Sequence, residues 1–251
     1  MRLTEAEGKF VNEKPLSGQT AVITGASHGL GLALARHLAS IGADIVMIAR
    51  DHERLSQAAE TVGGHGGRVL TIACDVSNVE QVRSAADRIT QKMTRADILI
   101  NNAGIPAPRT FADTSFADWD AVIGVNLSGV FYMTRALWDL LIAGGSGYVI
   151  TISGTAGVRG GGSPAYGSAK FGLTGLNHAI AAAGKEHGVR ATILYPGSMD
   201  TGWRGAPIGE KPPAETMSPD EVARYIGYLV TTPKEFVVNE AVLSPIAAPF
   251  L

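Results

Sequence analysis

Tyr166 and Lys170 stand four residues apart in the segment Tyr-Gly-Ser-Ala-Lys, which places them one turn apart on the same face if the segment is helical. A free tyrosine ionises near ~10 and is a poor general base at neutral pH. An ammonium on the same helix face favours the phenolate, so the pair makes a proton donor and acceptor that works at about pH 7. Tyrosine and lysine fall at this spacing by chance in many helices. Here a glycine-rich turn, an Asn-Asn-Ala-Gly segment and a serine precede the pair in that order.

The glycine turn reads Thr24-Gly25-Ala26-Ser27-His28-Gly29-Leu30-Gly31. A β-branched run leads into it and a segment of helical spacing leads out. Glycines let the backbone turn tightly and approach a pyrophosphate, which then rests on the orphan N–H groups of the helix start. The spacing is Gly-x-x-x-Gly-x-Gly, not the Gly-x-Gly-x-x-Gly of most dinucleotide folds. The bland alternative, a turn with no ligand, sits poorly with strand, turn and helix in this order. At the end of the next β-branched run an acidic residue would accept the ribose hydroxyls of NAD. Ala49 stands there, 18 positions after Gly31, followed by Arg50. A guanidinium suits the extra phosphate of NADP. Ser27 and His28 in the adjacent turn add contacts to it. Asp51 beside Arg50 leaves NAD open, and the alternative role for Arg50 is a solvated charge at a helix start.

Those residues require a scaffold. β-branched runs at 20–24, 44–49, 68–73, 97–101, 148–153, 189–194 and 237–243 alternate with longer segments of helical spacing such as 30–41, 78–93 and 219–230. Apolar strands separated by helices predict an α/β domain, a parallel sheet with helices on both faces. Residues 1–17 read as a polar arm, 18–251 as a single dinucleotide-binding and catalytic domain, and 197–219, rich in Gly and Pro, as a long functional loop.

The motifs resemble those of the short-chain dehydrogenase/reductase family, in its single-domain subgroup, from Leu16 onward. The matching residues are Thr24, Gly25, Gly29 and Gly31, then Asp75-Val76, Asn101-Asn102-Ala103-Gly104, Asn126, Tyr166, Lys170, Pro196-Gly197 and Thr201. The resemblance implies a Rossmann-type, doubly wound parallel sheet of about seven strands and an alcohol–ketone oxidoreductase using NADP. It implies that Tyr166 exchanges the substrate proton and that Lys170 lowers the tyrosine pKa and holds the nicotinamide ribose. Asn126 would support a water chain from that lysine. Asp75 and Val76 would meet the adenine, and Asn102, Ala103 and Gly104 the adenosine ribose. Thr201, after Pro196 and Gly197, would meet the nicotinamide amide. Leu30 belongs to the same cofactor turn.

The serine departs from the family pattern. Members usually end the fifth strand with two small hydroxyl residues, the second polarising the substrate oxygen. Counting thirteen back from Tyr166 gives Ser153, whereas aligning the strand with Gly157 puts Gly154 there. Ser153 is favoured, with Thr155 or Ser163 as substitutes. In the loop, Trp203 is a candidate to touch substrate and Arg204 to meet an anionic group on it.

Other constellations are weak. Net charge is −2, so no basic field invites nucleic acid or an anionic membrane. Cys74 is the single cysteine, which excludes an internal disulfide. No apolar run approaches the ~18 residues of a membrane span, and the N-terminus does not read as a signal peptide, so a cytoplasmic location is expected. His28, His37, His52, His65, His178 and His187 show no metal-ligand spacing, and no metal is expected. Ser168 reads as packing, Asp97 has no motif around it, and Trp119 and Trp138 read as core or subunit packing. The expected partner is a small alcohol or ketone, with the chain itself as homodimer or homotetramer. Two alternatives compete: a lyase or epimerase on this fold, and a non-catalytic dinucleotide-binding sensor or scaffold.

Overall fold

A computed structural model describes residues 14–64, 67–159, 163–205 and 207–248, without the Arg204 side chain. Most of the expected polar arm and His65 lie outside these residues. The end of that arm is no arm: Leu16 is fully buried and its N–H donates to Ile41 O at 3.0 Å.

Seven strands are present among the described residues: β1 (Thr20–Thr24), β2 (Asp44–Ala49), β3 (Val69–Ala73), β4 (Ile98–Asn101), β5 (Tyr148–Ile152), β6 (Arg190–Pro196) and β7 (Glu240–Leu243). They form one sheet in the order β3-β2-β1-β4-β5-β6-β7, and every pairing is parallel. The helices are α1 (Gly29–Ser40), α2 (His52–Glu60), α3 (Val79–Lys92), α4 (Phe116–Ile123), α5 (Gly129–Ala136), α6 (Trp138–Ile142), α7 (Ala156–Arg159), α8 (Pro164–Gly184) and α9 (Pro219–Val230). A π-helical segment, Gly124–Ser128, joins α4 to α5.

The side-chain alternation of the strands builds two cores. Ala21, Ile23, Ile45, Met47, Ile98 and Ile100 face one side, against Leu34 and Leu38 of α1, Leu55 of α2 and Ile226 of α9. Val22, Val46, Ile48 and Leu99 face the other, against Val82 and Ile89 of α3, Met133 of α5 and Ile180 of α8. Both faces are covered, so the strands read as apolar throughout. Asp97, which has no motif around it, anchors the amino edge: its carboxylate accepts from Thr20 N at 2.8 Å and pairs with Arg95 at 3.0 Å.

Two strand boundaries differ from expectation by more than one residue. β6 runs on to Pro196, delivering Pro196 and Gly197 to the carboxyl edge. β7 begins at Glu240 rather than 237. There the Phe236 and Val238 carbonyls accept from the Arg190 guanidinium and the Thr192 hydroxyl of β6, at 2.9 and 2.6 Å. Side chains take the acceptors that a longer ladder would have used.

β1 lies between β2 and β4, and the chain leaves β1 toward one face and β4 toward the other. In open α/β sheets that reversal of strand order opens a crevice at the carboxyl edge, where ligands bind.

Candidate active site

A cleft of about 530 Å³ occupies that crevice, lined by Gly25, His28, Gly29 and Leu30 from the glycine turn, by Asn102, Ala103 and Gly104 after β4, by Tyr166 and Lys170 of α8, and by the segment after β6. The start of α1 opens into it. His28 occupies the N-cap position without a side-chain hydrogen bond, whereas α2, α3, α8 and α9 are capped by Asp51, Asn78, Ser163 and Ser218. The first N–H groups of α1 thus keep their capacity for an anion. A Cβ on Gly31 would collide with the Gly25 carbonyl, and one on Gly25 would stand 2.9 Å from Ala103 Cα. These glycines let helix, turn and β4 loop approach without side chains between them.

β1 and β4 are latched at the cleft floor. Thr24 Oγ1 accepts from the N–H groups of Asn102 and Ala103, both at 3.0 Å, and Asn102 Nδ2 donates to Thr24 O at 2.9 Å. The Asn102 side chain therefore holds the glycine turn in place, while the backbone of 102–104 faces the cleft.

α8 brings Tyr166 and Lys170 together as their spacing predicts. Ser163 caps the helix, accepting from Tyr166 N at 3.4 Å, and Pro164 begins it. Lys170 is 4% exposed, and its Nζ donates to Ile152 O at 2.8 Å and lies 5.6 Å from the Tyr166 ring centroid. Burial pushes its pKa down to about 8.

Ser153 lines the cleft, with its hydroxyl engaged by α8. Ser153 is buried, its hydroxyl donates to Lys170 O at 3.0 Å, and Gly157 packs so closely that a Cβ there would strike Ser153 Oγ. Gly154 instead faces the reacting group: a Cβ on it would stand 3.5 Å from the Tyr166 hydroxyl. Ser163 is committed as a helix cap, and Thr155 does not line the cleft. The strand alignment to Gly157 is thus the one that names the residue beside the Tyr166 hydroxyl, Gly154.

Asn126 is fully buried in the π-helical segment. Its Oδ1 accepts from Ile105 N at 2.8 Å and its Nδ2 donates to Ile105 O at 2.9 Å. These two bonds hold the loop after β4 and leave Oδ1 a second lone pair and Nδ2 a second proton. Asp75 Oδ1 accepts from the N–H and the hydroxyl of Ser77, at 2.9 and 2.7 Å, closing a turn after β3. Val76 packs against Gly129. Neither lines the cleft.

Arg50 is exposed at the end of β2 and lines a second hollow with His28, Gly104 and Trp203, adjoining the main cleft. Asp51 is turned away, accepting from Arg54 N at 3.0 Å as the cap of α2. Ser27 and His28 share a hydrogen bond of 3.2 Å, and burial, then the nearby Arg54 guanidinium, holds the His28 pKa below its ordinary value. At this corner the described side chains therefore present a cation without an opposing carboxylate.

The segment 197–219 is folded over the cleft. Met217 N donates to Ser198 O at 2.9 Å and Asp200 N to Met217 O at 3.0 Å, closing the base of the loop. Asp200 then holds the Gly209 N–H, and Thr201 packs on Gly29. Trp203 lies over the opening, its ring centroid 6.3 Å from that of Tyr166 and its edge beside Gly104. Sequence reasoning singles out Trp203 and Thr201 but misses Arg109, Met199, Asp200, Lys211 and Thr216, which also line the cleft. They carry no motif; only their place in the two loops at the carboxyl edge marks them.

Among the described residues no helix is long and apolar enough to cross a membrane, and no three His, Cys, Asp or Glu side chains gather as a metal site.

The chain is similar to known proteins. A 3-oxoacyl-[acyl-carrier-protein] reductase of Synechocystis sp. is 34% identical over 87% of this chain and 91% of its own length. A D-threitol dehydrogenase of Mycolicibacterium smegmatis is 32% identical over 86% of this chain and 87% of its own. An alcohol dehydrogenase of the archaeon Thermococcus sibiricus, solved with 5-hydroxy-NADP, superposes with a TM-score of 0.87 at 29% identity, covering 93% of this chain and 99% of that one. A family model described as short chain dehydrogenase matches residues 19–208, and the chain belongs to the short-chain dehydrogenase/reductase family of oxidoreductases.

Proposed function

We propose that this protein is an NADP-dependent oxidoreductase interconverting a secondary alcohol and a ketone on a small or medium organic molecule. The observation that carries the reading is that one cleft joins an uncapped, glycine-cradled helix start to a buried lysine beside a tyrosine. The first feature fits a pyrophosphate and the second a proton-transfer group. The similarity to an alcohol dehydrogenase solved with an NADP derivative supports the cofactor.

In this reading the N–H groups at the start of α1 and the turn 25–31 hold the pyrophosphate. Arg50 holds the 2′-phosphate, a role that favours NADP over NAD because Asp51 is committed to α2. The backbone of 102–104 lines the ribose beside it. When bound, the nicotinamide supplies or accepts the hydride. Tyr166 gives its proton to the substrate oxygen in reduction and recovers it in oxidation. Lys170 keeps a positive charge behind the ring, which favours the phenolate, and has donors left for ribose hydroxyls once Ile152 O is served. Asn126 acts as a positioning residue through Ile105. Trp203 and the loop 197–219 form the wall that meets substrate and excludes water. The half-exposed Phe131 and Phe171 on α5 and α8 support assembly as a homodimer or homotetramer.

Tyr166→Phe tests the chemistry. Turnover of a ketone with NADPH should fall by about 10²–10⁴ while NADPH binding, read by titration, stays within about twofold of wild type. Turnover within a few-fold of wild type removes Tyr166 from the mechanism.

A further inference from the structure

The reacting oxygen of any substrate must sit within hydrogen-bond reach of the Tyr166 hydroxyl. The end of β5 contributes Ile152 and Ser153 to the cleft lining, and Gly154 follows them beside the Tyr166 hydroxyl. A Cβ built on Gly154 meets two atoms within 4 Å, the Tyr166 hydroxyl at 3.5 Å and the Pro196 carbonyl oxygen at 3.7 Å. Both distances are ordinary van der Waals separations, so among the described residues a space the size of one heavy atom is open at Gly154 beside the Tyr166 hydroxyl. Its walls are polar. The Pro196 carbonyl receives the Thr155 N–H at 3.3 Å and keeps a second lone pair. Three hydroxyls close in sequence do not fill this space: Ser153 is bonded into α8, Ser163 caps that helix, and Thr155 lies off the cleft.

A site of this kind lacks one donor to the oxygen on which charge develops during hydride transfer. Removing one such donor costs on the order of 10²–10³ in kcat in enzymes that have it. A substrate that carries a hydroxyl on the neighbouring carbon brings the donor with it, and before charge develops the same single proton has an acceptor in Pro196 O. Resting on the oxidoreductase reading, we propose that Gly154 is a specificity-determining residue whose niche takes a hydroxyl of the substrate itself. The substrate class is then an α-hydroxy ketone or, in the oxidative direction, a vicinal diol. In reduction the ketone carbon gains a hydride from NADPH, its oxygen gains the Tyr166 proton, and a diol results. The second hydroxyl binds but forms and breaks no covalent bond.

Three matched ketones test this with NADPH: hydroxyacetone, methoxyacetone and 2-butanone. The methoxy group withdraws electrons as the hydroxyl does but has no proton to give, so it separates hydrogen bonding from intrinsic reactivity. Wild-type kcat/KM should favour hydroxyacetone over methoxyacetone by about tenfold, the worth of one hydrogen bond. Gly154→Ser fills the niche with the chain's own hydroxyl. It should raise turnover of 2-butanone by about tenfold and bring the hydroxy-to-methoxy ratio to within about threefold. Gly154 has φ of 157°, near the edge of what a residue with a side chain adopts. The wild-type comparison needs no variant and decides by itself. Equal kcat/KM for hydroxyacetone and methoxyacetone in an enzyme that turns both over overturns the niche alone. No turnover of any of the three ketones, or of the corresponding alcohols with NADP, in wild type and Gly154→Ser alike, overturns the oxidoreductase reading and the niche with it.

Discussion

Lys170 holds a charge where water does not reach, and the position has a cost that depends on pH. Its pKa falls from 10.5 to about 8 through burial. Below about 8 both folded and unfolded chains are protonated there, and the folded one bears the full desolvation cost. Above the unfolded value of 10.5 neither is charged and the cost vanishes, so stability due to this group rises between the two. At about 1.36 kcal/mol per pH unit the cost at neutral pH is about 3 kcal/mol. Lys170→Met should therefore be at least as stable as wild type at pH 7 in urea unfolding, although turnover is lost. Its advantage should shrink as the pH is raised from 7 toward 10. An advantage that does not move with pH would assign the stability to packing instead. Arg50 acts at the other end of the cleft. Arg50→Asp should weaken NADPH by roughly 1.5–3 kcal/mol, the worth of a charge-assisted hydrogen bond, and leave NADH within about threefold. Equal losses for the two dinucleotides in binding titrations would remove Arg50 from the 2′-phosphate.

The loop 197–219 shows what a glycine- and proline-rich stretch does once its ends are tied. The pairing of Met199 with Met217 narrows its base, and Asp200 holds Gly209 across it. The amides of this loop should gain protection from hydrogen exchange when NADPH and a substrate analogue are added together. Unchanged protection would rule out closure. Trp203→Ala should raise substrate KM roughly fivefold, about 1 kcal/mol of apolar burial, and spare NADPH affinity. The helical region that carries Trp119 and Trp138 is interrupted by a π-helical turn at Gly124–Ser128, between α4 and α5. That widening carries Asn126, and π-bulges are common at functional sites. Nothing in residue spacing announces it, because one extra residue per turn shifts a face without altering composition.

The sheet is legible in the sequence because strands buried on both faces read as unbroken apolar runs, and β1 and β2 begin and end where those runs do. The chemistry at 166–170 and 25–31 is legible because local spacing alone sets it. The bond from the Ser153 hydroxyl to Lys170 O is not legible, because it depends on how closely Gly157 meets α8, an approach of distant segments. β7 is shorter than its apolar run because side chains of β6 capture the first carbonyls. Arg109 and Lys211 escape a reading of the sequence because neither has a neighbour in the chain that marks it.

The strand order carries one more consequence, in the order of events as the chain is made. β1 pairs with β4 across 77 residues, Ala21 with Ile98, so the first three strands emerge as a half-sheet with the edge of β1 bare. That edge is apolar on both faces, the kind of surface that seeks another strand. It is covered only when residues 98–101 leave the ribosome, and the nucleotide crevice is born at the same moment, since β1 and β4 are its two lips. The interval in which this apolar edge stands bare is thus also one in which the crevice between β1 and β4 does not yet exist.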